Sequence, residues 1–221
     1  ATIQAKTNTF YATWTKKLEL TQSSKDITGT VGEPFATVDL SSFIKNKNGS
    51  YSFKVKSGNT LPDDFILGAT DGKLSSTALT QAIDNKEVII VISKDSRSVE
   101  LTLTFKIAKG NSSITFTNLT SGKFETTYGT DLLPATTTTG SKEAVTITYY
   151  TNQQCTEGAT TTKPVNAGTY YVKAALAADA NYNAAVTAAV PYIINKKELL
   201  VTPNAGQFVY KNEEATYVPT F

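Results

Sequence analysis

Strict alternation of apolar and polar residues is the feature that most limits how this chain can fold. Between residues 99 and 107 every second side chain is apolar, and these positions are Val99, Leu101, Leu103, Phe105 and Ile107. Successive side chains of a strand point to opposite faces, so this period of two predicts a strand with one face in a core. Shorter alternating stretches occur at residues 51–56, 145–149 and, with one interruption, 10–20. The chain is therefore predicted to fold into β-sheets.

Turn-forming residues divide these stretches into short strands. The breaks begin at Gly32, Asn48, Asp71, Lys109 and Thr138. Short strands with turn signals roughly every 8–12 residues are typical of a β-sandwich or a β-barrel. Residues 76–85 form the only helix-like stretch, and we expect a single turn there at most.

A repeat predicts the number of domains. Leu20, Ile107 and Ile194 are each followed seven residues later by an apolar residue and a threonine, and successive members of the set are 87 residues apart. A fixed period of this kind marks an array of domains. We interpret each joint as the last strand of one unit, a short polar link and the first strand of the next.

The period predicts two complete units, at residues 23–109 and 110–196. Residues 1–22 are interpreted as the closing hairpin of a preceding repeat or as strands added to the first unit. Residues 197–221 are interpreted as the opening strands of a following repeat.

Composition argues against most catalytic sites. The chain has no histidine and one cysteine, Cys155, in a polar stretch. A Ser-His-Asp triad, a histidine-bound zinc and a cysteine nucleophile with a histidine partner therefore have no residues to form them. A paired-carboxylate glycosidase site stays open on composition, but no sequence feature indicates the deep cleft it needs. We expect no enzymatic activity and no cofactor.

Charge and hydropathy argue against two classes of partner. The formal net charge is +2, with charged residues spread along the chain, so no basic stripe indicates nucleic-acid binding. The longest apolar run, at residues 88–92, is far shorter than the roughly 20 residues that a membrane-spanning helix needs. We expect neither nucleic-acid binding nor a membrane-spanning segment.

Calcium between units is an alternative that the acidic residues raise. Asp63, Asp64, Asp71 and Asp95 supply the oxygen ligands that calcium prefers, but they lack the clustered Asp-x-Asp spacing of cadherin-type sites. Aspartates of turns explain them better, and no metal site is predicted.

The second predicted unit resembles the immunoglobulin-like repeats of bacterial surface proteins. Its closing half reads Asn166-Ala-Gly-Thr-Tyr170-Tyr-Val172, then Asp179-Ala-Asn-Tyr182-Asn, and its opening half contains Phe124-Glu-Thr-Thr-Tyr128-Gly129. These segments are similar to the "AGTY", "NY" and "YG" signatures of MBG-type repeats. The resemblance implies that Tyr170 forms a tyrosine corner and that Val172 is a core residue at the usual cysteine position.

The first predicted unit resembles a different branch, the immunoglobulin-like or cadherin-like repeats of surface proteins. The similar segments are Val31-Gly-Glu-Pro-Phe35, Leu61-Pro-Asp-Asp-Phe-Ile-Leu67 and Asp71-Gly-Lys-Leu-Ser75, and Ser76 stands where such repeats usually have glycine. The two resemblances imply an all-β fold of tandem immunoglobulin-like β-sandwiches in an elongated array. They also imply a non-catalytic stalk or adhesive region, extracellular or on a bacterial cell surface, next to further repeats of the same polypeptide.

Aromatic residues provide the candidate binding site. Tyr11, Tyr150 and Tyr171 fall on the strand face opposite the expected core, where two or three exposed rings could stack on sugars or anchor a protein. Partners would then be a host or cell-surface protein or a glycan, and a carbohydrate-binding accessory module of a secreted glycan-degrading enzyme is the alternative function. The competing interpretation is that these rings are ordinary cross-strand neighbours.

Overall fold

The computed structural model describes residues 17–200, which form two compact units built from strands. Of these residues, the first unit comprises 17–113, 139–143 and 177–185, and the second comprises the remainder. This division does not test the repeat boundaries at 23–109 and 110–196, which stay predictions. The compact units are defined by contacts between residues, whereas the repeats are defined by a period in the sequence. Within the described residues no helix is long and apolar enough to cross a bilayer.

The first unit contains seven strands in two sheets. The strands are β1 (Ser24–Thr30), β2 (Val38–Asp39), β3 (Ser52–Val55), β4 (Ile66–Leu67), β5 (Lys73–Ser75), β6 (Ile83–Lys94) and β7 (Arg97–Ala108). One sheet has the order β1-β7-β6-β3 and the other β2-β5-β4. An immunoglobulin-like sandwich has strands two, four and five on one sheet and strands three, six and seven on the other, and the first unit has this arrangement. Its β1 lies on the sheet that contains the last strand.

The hairpin of β6 and β7 is the centre of the first core. In β7 the side chains of Leu101, Leu103 and Phe105 are fully buried, and the polar residues between them are not. The other sheet covers this apolar face, with Leu74 of β5 also fully buried. The Phe65 ring packs edge to face on Phe105 with 4.8 Å between ring centroids. The alternation that predicts a strand at residues 99–107 is thus confirmed by burial on one face.

The second unit also contains seven strands. Three of these strands each have one end residue that belongs to the first compact unit. They are β8 (Ser113–Phe116), β9 (Phe124–Thr127), β10 (Thr136–Thr139), β11 (Val145–Tyr150), β12 (Gly168–Leu176), β13 (Ala185–Val186) and β14 (Val190–Asn195). The main sheet has the order β11-β12-β14-β9, with β13 beside β12, and the other sheet pairs β8 with β10.

The second core lies beneath the main sheet. Its buried members are Phe124, Tyr149, Val172, Tyr192 and Ile194. Phe116 of β8 packs edge to face on Phe124 with 5.1 Å between centroids, which joins the two-stranded sheet to this core. The main sheet repeats the order found in the first unit, and the partner sheet is smaller because residues 151–167 link β11 to β12 without a full strand.

Both units share one feature of strand direction. β1 runs parallel to β7 over seven paired residues, from Ser24 beside Thr102 to Thr30 beside Ala108. β9 runs parallel to β14 over four pairs, from Phe124 beside Tyr192 to Thr127 beside Asn195. In each unit an early strand therefore lies along the last strand of the sheet and points the same way.

The helical turn is not where the sequence places it. Residues 76–82 have no regular structure, and β6 begins at Ile83. Within residues 17–200 the helical element is a 3-10 turn at Leu40–Phe43, where the Asp39 carboxylate accepts the Ser41 backbone N–H at 2.9 Å. A turn of four residues is too short to show a helical period, so periodicity could not find it.

The described part of the N-terminal segment adds to the first unit. Leu20 forms an isolated antiparallel bridge with Ile44, and the Thr21 N–H donates to the Phe43 carbonyl at 2.8 Å. Residues 1–16 and 201–221 lie outside the described residues, so the interpretations of residues 1–22 and 197–221 stay predictions.

Candidate functional site

The structure brings two of the three candidate tyrosines together. Tyr150 of β11 and Tyr171 of β12 are direct cross-strand partners, and Tyr171 is also in register with Pro191 of β14. Their chain neighbours Tyr149 and Val172 are 3% and 0% exposed on the core side, so the pair lies on the outer face. Tyr11 lies outside the described residues.

The outer-face pair shares its face of the main sheet with other residues of β11 and β12. Both tyrosines are half-buried, and Lys173 of the next pair lies on the same face, opposite Thr148. Directly opposed side chains on neighbouring strands are about 4.5–5.5 Å apart at their Cβ atoms, so the two tyrosines form one cross-strand pair. Such a pair can stack on a sugar or a protein partner, and it also stabilises the sheet as an ordinary cross-strand pair.

A second candidate, which the sequence did not single out as a site, is a groove of about 400 Å³ in the second unit. We call it the Tyr128 groove. Residues 128–131 form one wall, and Lys163, Pro164 and Val165 form the other. Tyr128 is 51% exposed and Val165 is 67% exposed, so the groove presents apolar surface to solvent.

Backbone and side-chain bonds hold the Tyr128 groove in shape. The Tyr128 N–H donates to the Asn195 carbonyl at 2.8 Å, and Gly129 follows with φ +84°, a conformation that glycine adopts without strain. Asp131 forms an ion pair with Lys163 across the groove. The Tyr128-Gly129 signature marks this turn in the sequence, but nothing local indicates that Val165 lies opposite.

The tyrosine beneath the groove is fixed and neutral. Tyr192 is 1% exposed, and its hydroxyl donates to the Leu132 carbonyl at 2.7 Å. Burial raises the pKa of Tyr192, and burial together with the neighbouring Tyr192 raises the pKa of Tyr149 to about 12. Tyr149 and Tyr192 therefore stay protonated at neutral pH, and the groove offers contact surface and hydrogen-bonding groups.

Tyr170 and Val172, to which the resemblance assigns structural roles, both lie in β12. The Tyr170 hydroxyl donates to the Asn166 carbonyl at 3.2 Å, four residues back along the chain, and the Val172 side chain is fully buried. A tyrosine corner requires a back-bond of this kind. The resemblance-based roles of these two residues stay predictions, because only variants would measure them.

The aspartates weighed as calcium ligands lie at turn positions, and two of them accept hydrogen bonds from the protein itself. The Asp64 carboxylate accepts the Thr80 N–H at 2.7 Å and the Thr80 hydroxyl at 2.6 Å, and Asp71 accepts the Lys73 N–H at 3.1 Å. Across residues 17–200, no three acidic, histidine or cysteine side chains lie close enough together to hold a metal ion.

Sequence comparison identifies no relative, since no model of a known protein family and no curated protein matches the chain. Similar solved structures include Drosophila N-cadherin EC1-4, at 15% identity and a TM-score of 0.39, where 83% of this chain covers 50% of that one. Human protocadherin-24 EC1-2 gives 11% identity, a TM-score of 0.36, and coverage of 83% and 98%.

A bacterial structure is also similar. It is a SusE-like, surface-located polysaccharide-binding protein from the Bacteroides thetaiotaomicron heparin utilisation locus, at 14% identity and a TM-score of 0.32, with 81% of this chain and 34% of that chain covered. At these identities and scores the fold assignment rests on the strand order described above, and nothing about function follows from the similarities.

Proposed function

We propose that this chain belongs to a structural or adhesive repeat region of a bacterial secreted or cell-surface protein and has no catalytic role. The observation that carries the proposal is the parallel pairing of an early strand with the last strand in each unit. The resemblance of residues 166–172 and 124–129 to MBG-type repeats supports a bacterial, extracellular setting. Neighbouring repeats of the same polypeptide are the first expected partners.

The parallel pairing suits a unit that carries tension. When the two ends of a unit are pulled apart, β1 is drawn one way and β7 the other, so the hydrogen bonds between them are sheared together rather than opened one at a time. Forced unfolding is governed by the rate of crossing this barrier. A stalk between a cell and its surroundings requires that resistance.

A pair of proline variants tests the tension-bearing role. The Thr102 N–H donates to the Ser23 carbonyl and the Val31 N–H to the Ala108 carbonyl, so odd-numbered residues of β1 bond to β7. Lys25→Pro removes one of these donors, whereas Thr28→Pro removes an N–H on the edge of β1 that pairs with no other described strand, where proline is tolerated. Single-molecule pulling should give a lower unfolding force for Lys25→Pro than for Thr28→Pro.

Two outcomes bear on that test. The role as a tension-bearing stalk is supported when Thr28→Pro keeps the unfolding force of the unmodified chain while Lys25→Pro loses it. Equal forces in all three proteins would show that the pairing of β1 with β7 is not the mechanical barrier and would contradict the proposal.

A carbohydrate-binding accessory module is the second candidate function. The pairing of Tyr150 with Tyr171, and the exposed Tyr128 beside its groove, favour it. Aromatic rings bind the apolar faces of sugars, and the Asp131–Lys163 ion pair supplies polar groups for hydroxyls. The expected partner is then a neutral glycan or a cell-surface glycoprotein.

A glycan array separates the two candidates. A binding module should lose its signal with Tyr128→Ala or with the double change of Tyr150 and Tyr171 to alanine. Ile66→Ala is the matched control, because it removes an apolar side chain that is 62% exposed on the first unit. A spacer gives no signal in any of these proteins.

A further inference from the structure

A concave surface of the first unit concentrates positive charge. We call this surface the basic cleft, and its volume is about 450 Å³. Its cationic lining residues are Lys17, Lys45, Lys94 and Arg97, and among the described residues that line it only Asp95 is acidic. Together with the adjacent Glu19, the described cleft residues hold four positive and two negative groups, a local excess of positive charge within a chain whose formal net charge is +2.

Two turns hold the basic cleft open. Lys94 and Arg97 face each other at the end of the β6–β7 hairpin, and Asp95 between them has φ +53°. The opposite wall is the segment after Ile44, where Asn46 has φ +52°. Both turns are short and anchored by strand pairing or a bridge, so Lys45, Lys94 and Arg97 are presented on fixed backbone.

Lys94 is positioned before any ligand arrives. Its ammonium donates to the Asn48 side-chain oxygen at 2.9 Å and to the Asn48 carbonyl, and it lies 5.3 Å from the centroid of the Tyr51 ring. A cation restrained in this way loses little conformational entropy when it contacts an anion. Pre-positioning of one cation lowers the cost of binding for the group as a whole.

The acidic neighbour leaves the other lysines available. Glu19 lies 3.9 Å from Lys17 and 3.5 Å from Lys45, and both lysine side chains are more than half exposed. Exposed ion pairs of this kind contribute little and are screened by salt. A polyvalent anion can therefore compete with Glu19 for both lysines.

The remaining lining indicates what kind of anion fits. Asn46, Asn48 and Ser96 add neutral donors and acceptors, which hydroxyl groups of a sugar can use. Tyr51 is only 7% exposed, and Lys94 lies over its ring, so no open aromatic face is available for stacking a nucleic-acid base.

We infer that the basic cleft binds the sulfate or carboxylate groups of an acidic polysaccharide. This site is on the first unit, does not overlap the tyrosine sites, and does not depend on the proposed function. Its signature is binding that weakens as salt is added, because the attraction is between exposed charges.

Binding of the whole chain to dextran sulfate, polygalacturonate and neutral dextran tests the inference. We expect binding to at least one of the two polyanions and none to neutral dextran, and the two arms distinguish sulfate from carboxylate. Replacing Lys45 and Arg97 with glutamine should weaken binding about tenfold. Arg97→Lys, which keeps the charge, should retain most of the affinity.

A matched double variant controls for overall charge. Lys54→Gln with Lys86→Gln removes two exposed lysines of the same unit outside the cleft, and it should leave binding nearly unchanged. Equal weakening by both double variants, tighter binding to single-stranded DNA or anionic vesicles, or no binding to either polyanion would overturn the inference. Unchanged melting temperatures would confirm that the variants fold.

Discussion

The Asp64 carboxylate joins two segments of the first unit that no strand connects. It accepts the Thr80 N–H, the Thr80 hydroxyl and the Gln81 N–H, at 2.7, 2.6 and 3.2 Å. Burial raises the pKa of Asp64, but these three hydrogen bonds outweigh that effect and hold the pKa below its ordinary value of 3.8. The charged form is thus favoured by folding.

This lowered pKa predicts a pH dependence at one residue. Stability from the Asp64 carboxylate is complete above the unfolded pKa of 3.8 and is lost as the pH falls through the lower folded value. Asp64→Asn should cost the first unit about 1 kcal/mol at neutral pH, and the difference should shrink below roughly pH 4. Hydrogen exchange of β6 and β7 amides measures it. Asp63→Asn, a change at an exposed neighbour, is the control, and a pH-independent difference would contradict the prediction.

At the scale of elements, the turn before β5 depends on a residue without a side chain. Gly72 has φ +68°, and a Cβ built there would lie 2.5 Å from the Phe53 ring. Gly72→Ala therefore combines backbone strain with overpacking and should destabilise the first unit by about 2–5 kcal/mol. Gly58 has φ +82° but nothing within 4 Å, so Gly58→Ala should cost about 1 kcal/mol. Urea unfolding compares the two variants, and equal losses would show that contact with Phe53 is unimportant.

The sequence predicts long elements well and very short ones poorly. The alternation at residues 99–107 and 145–149 corresponds to β7 and β11. These strands are long enough for the alternation of apolar and polar residues to repeat several times. β2 and β4 have two residues each, and so short a strand shows no period. The 3-10 turn at Leu40–Phe43 is also too short to show a period. The composition of residues 76–85 predicts a helical turn, but in the structure the last three of these residues belong to β6, which pairs with β7.

At the scale of the molecule, the two cores differ in extent. The described core of the first unit includes fully buried side chains from both sheets, such as Leu74 and Leu103, whereas the second is centred on Tyr192 and Val172 beneath one sheet. Calorimetry should therefore show two transitions, the second unit unfolding at the lower temperature. Leu103→Ala should destabilise the first unit and lower the temperature of the upper transition, and Val172→Ala should do the same to the second unit and the lower transition. The expected loss of unfolding free energy is roughly 2–4 kcal/mol for each variant. A single transition that both variants shift equally would contradict this.

The binding surfaces show what a sequence can and cannot reveal about a site. Tyr150 and Tyr171 were identifiable because strand parity alone puts them on the outer face, and their pairing follows from register. The basic cleft could not be identified from the sequence, because Lys17, Lys45 and Lys94 are far apart in the chain. The bridge at Ile44 and the β6–β7 hairpin bring them together. To predict which residues distant in the chain lie close together, one needs the order and pairing of the strands.

The direction of the first and last strands has a consequence for how such a protein changes length. Since β1 and β7 point the same way, β1 begins at one end of the sheet and β7 finishes at the opposite end, where Thr30 lies beside Ala108. An in-frame duplication of residues 24–108, the segment that β1 and β7 bound, would then leave the pairing of its interior strands unchanged.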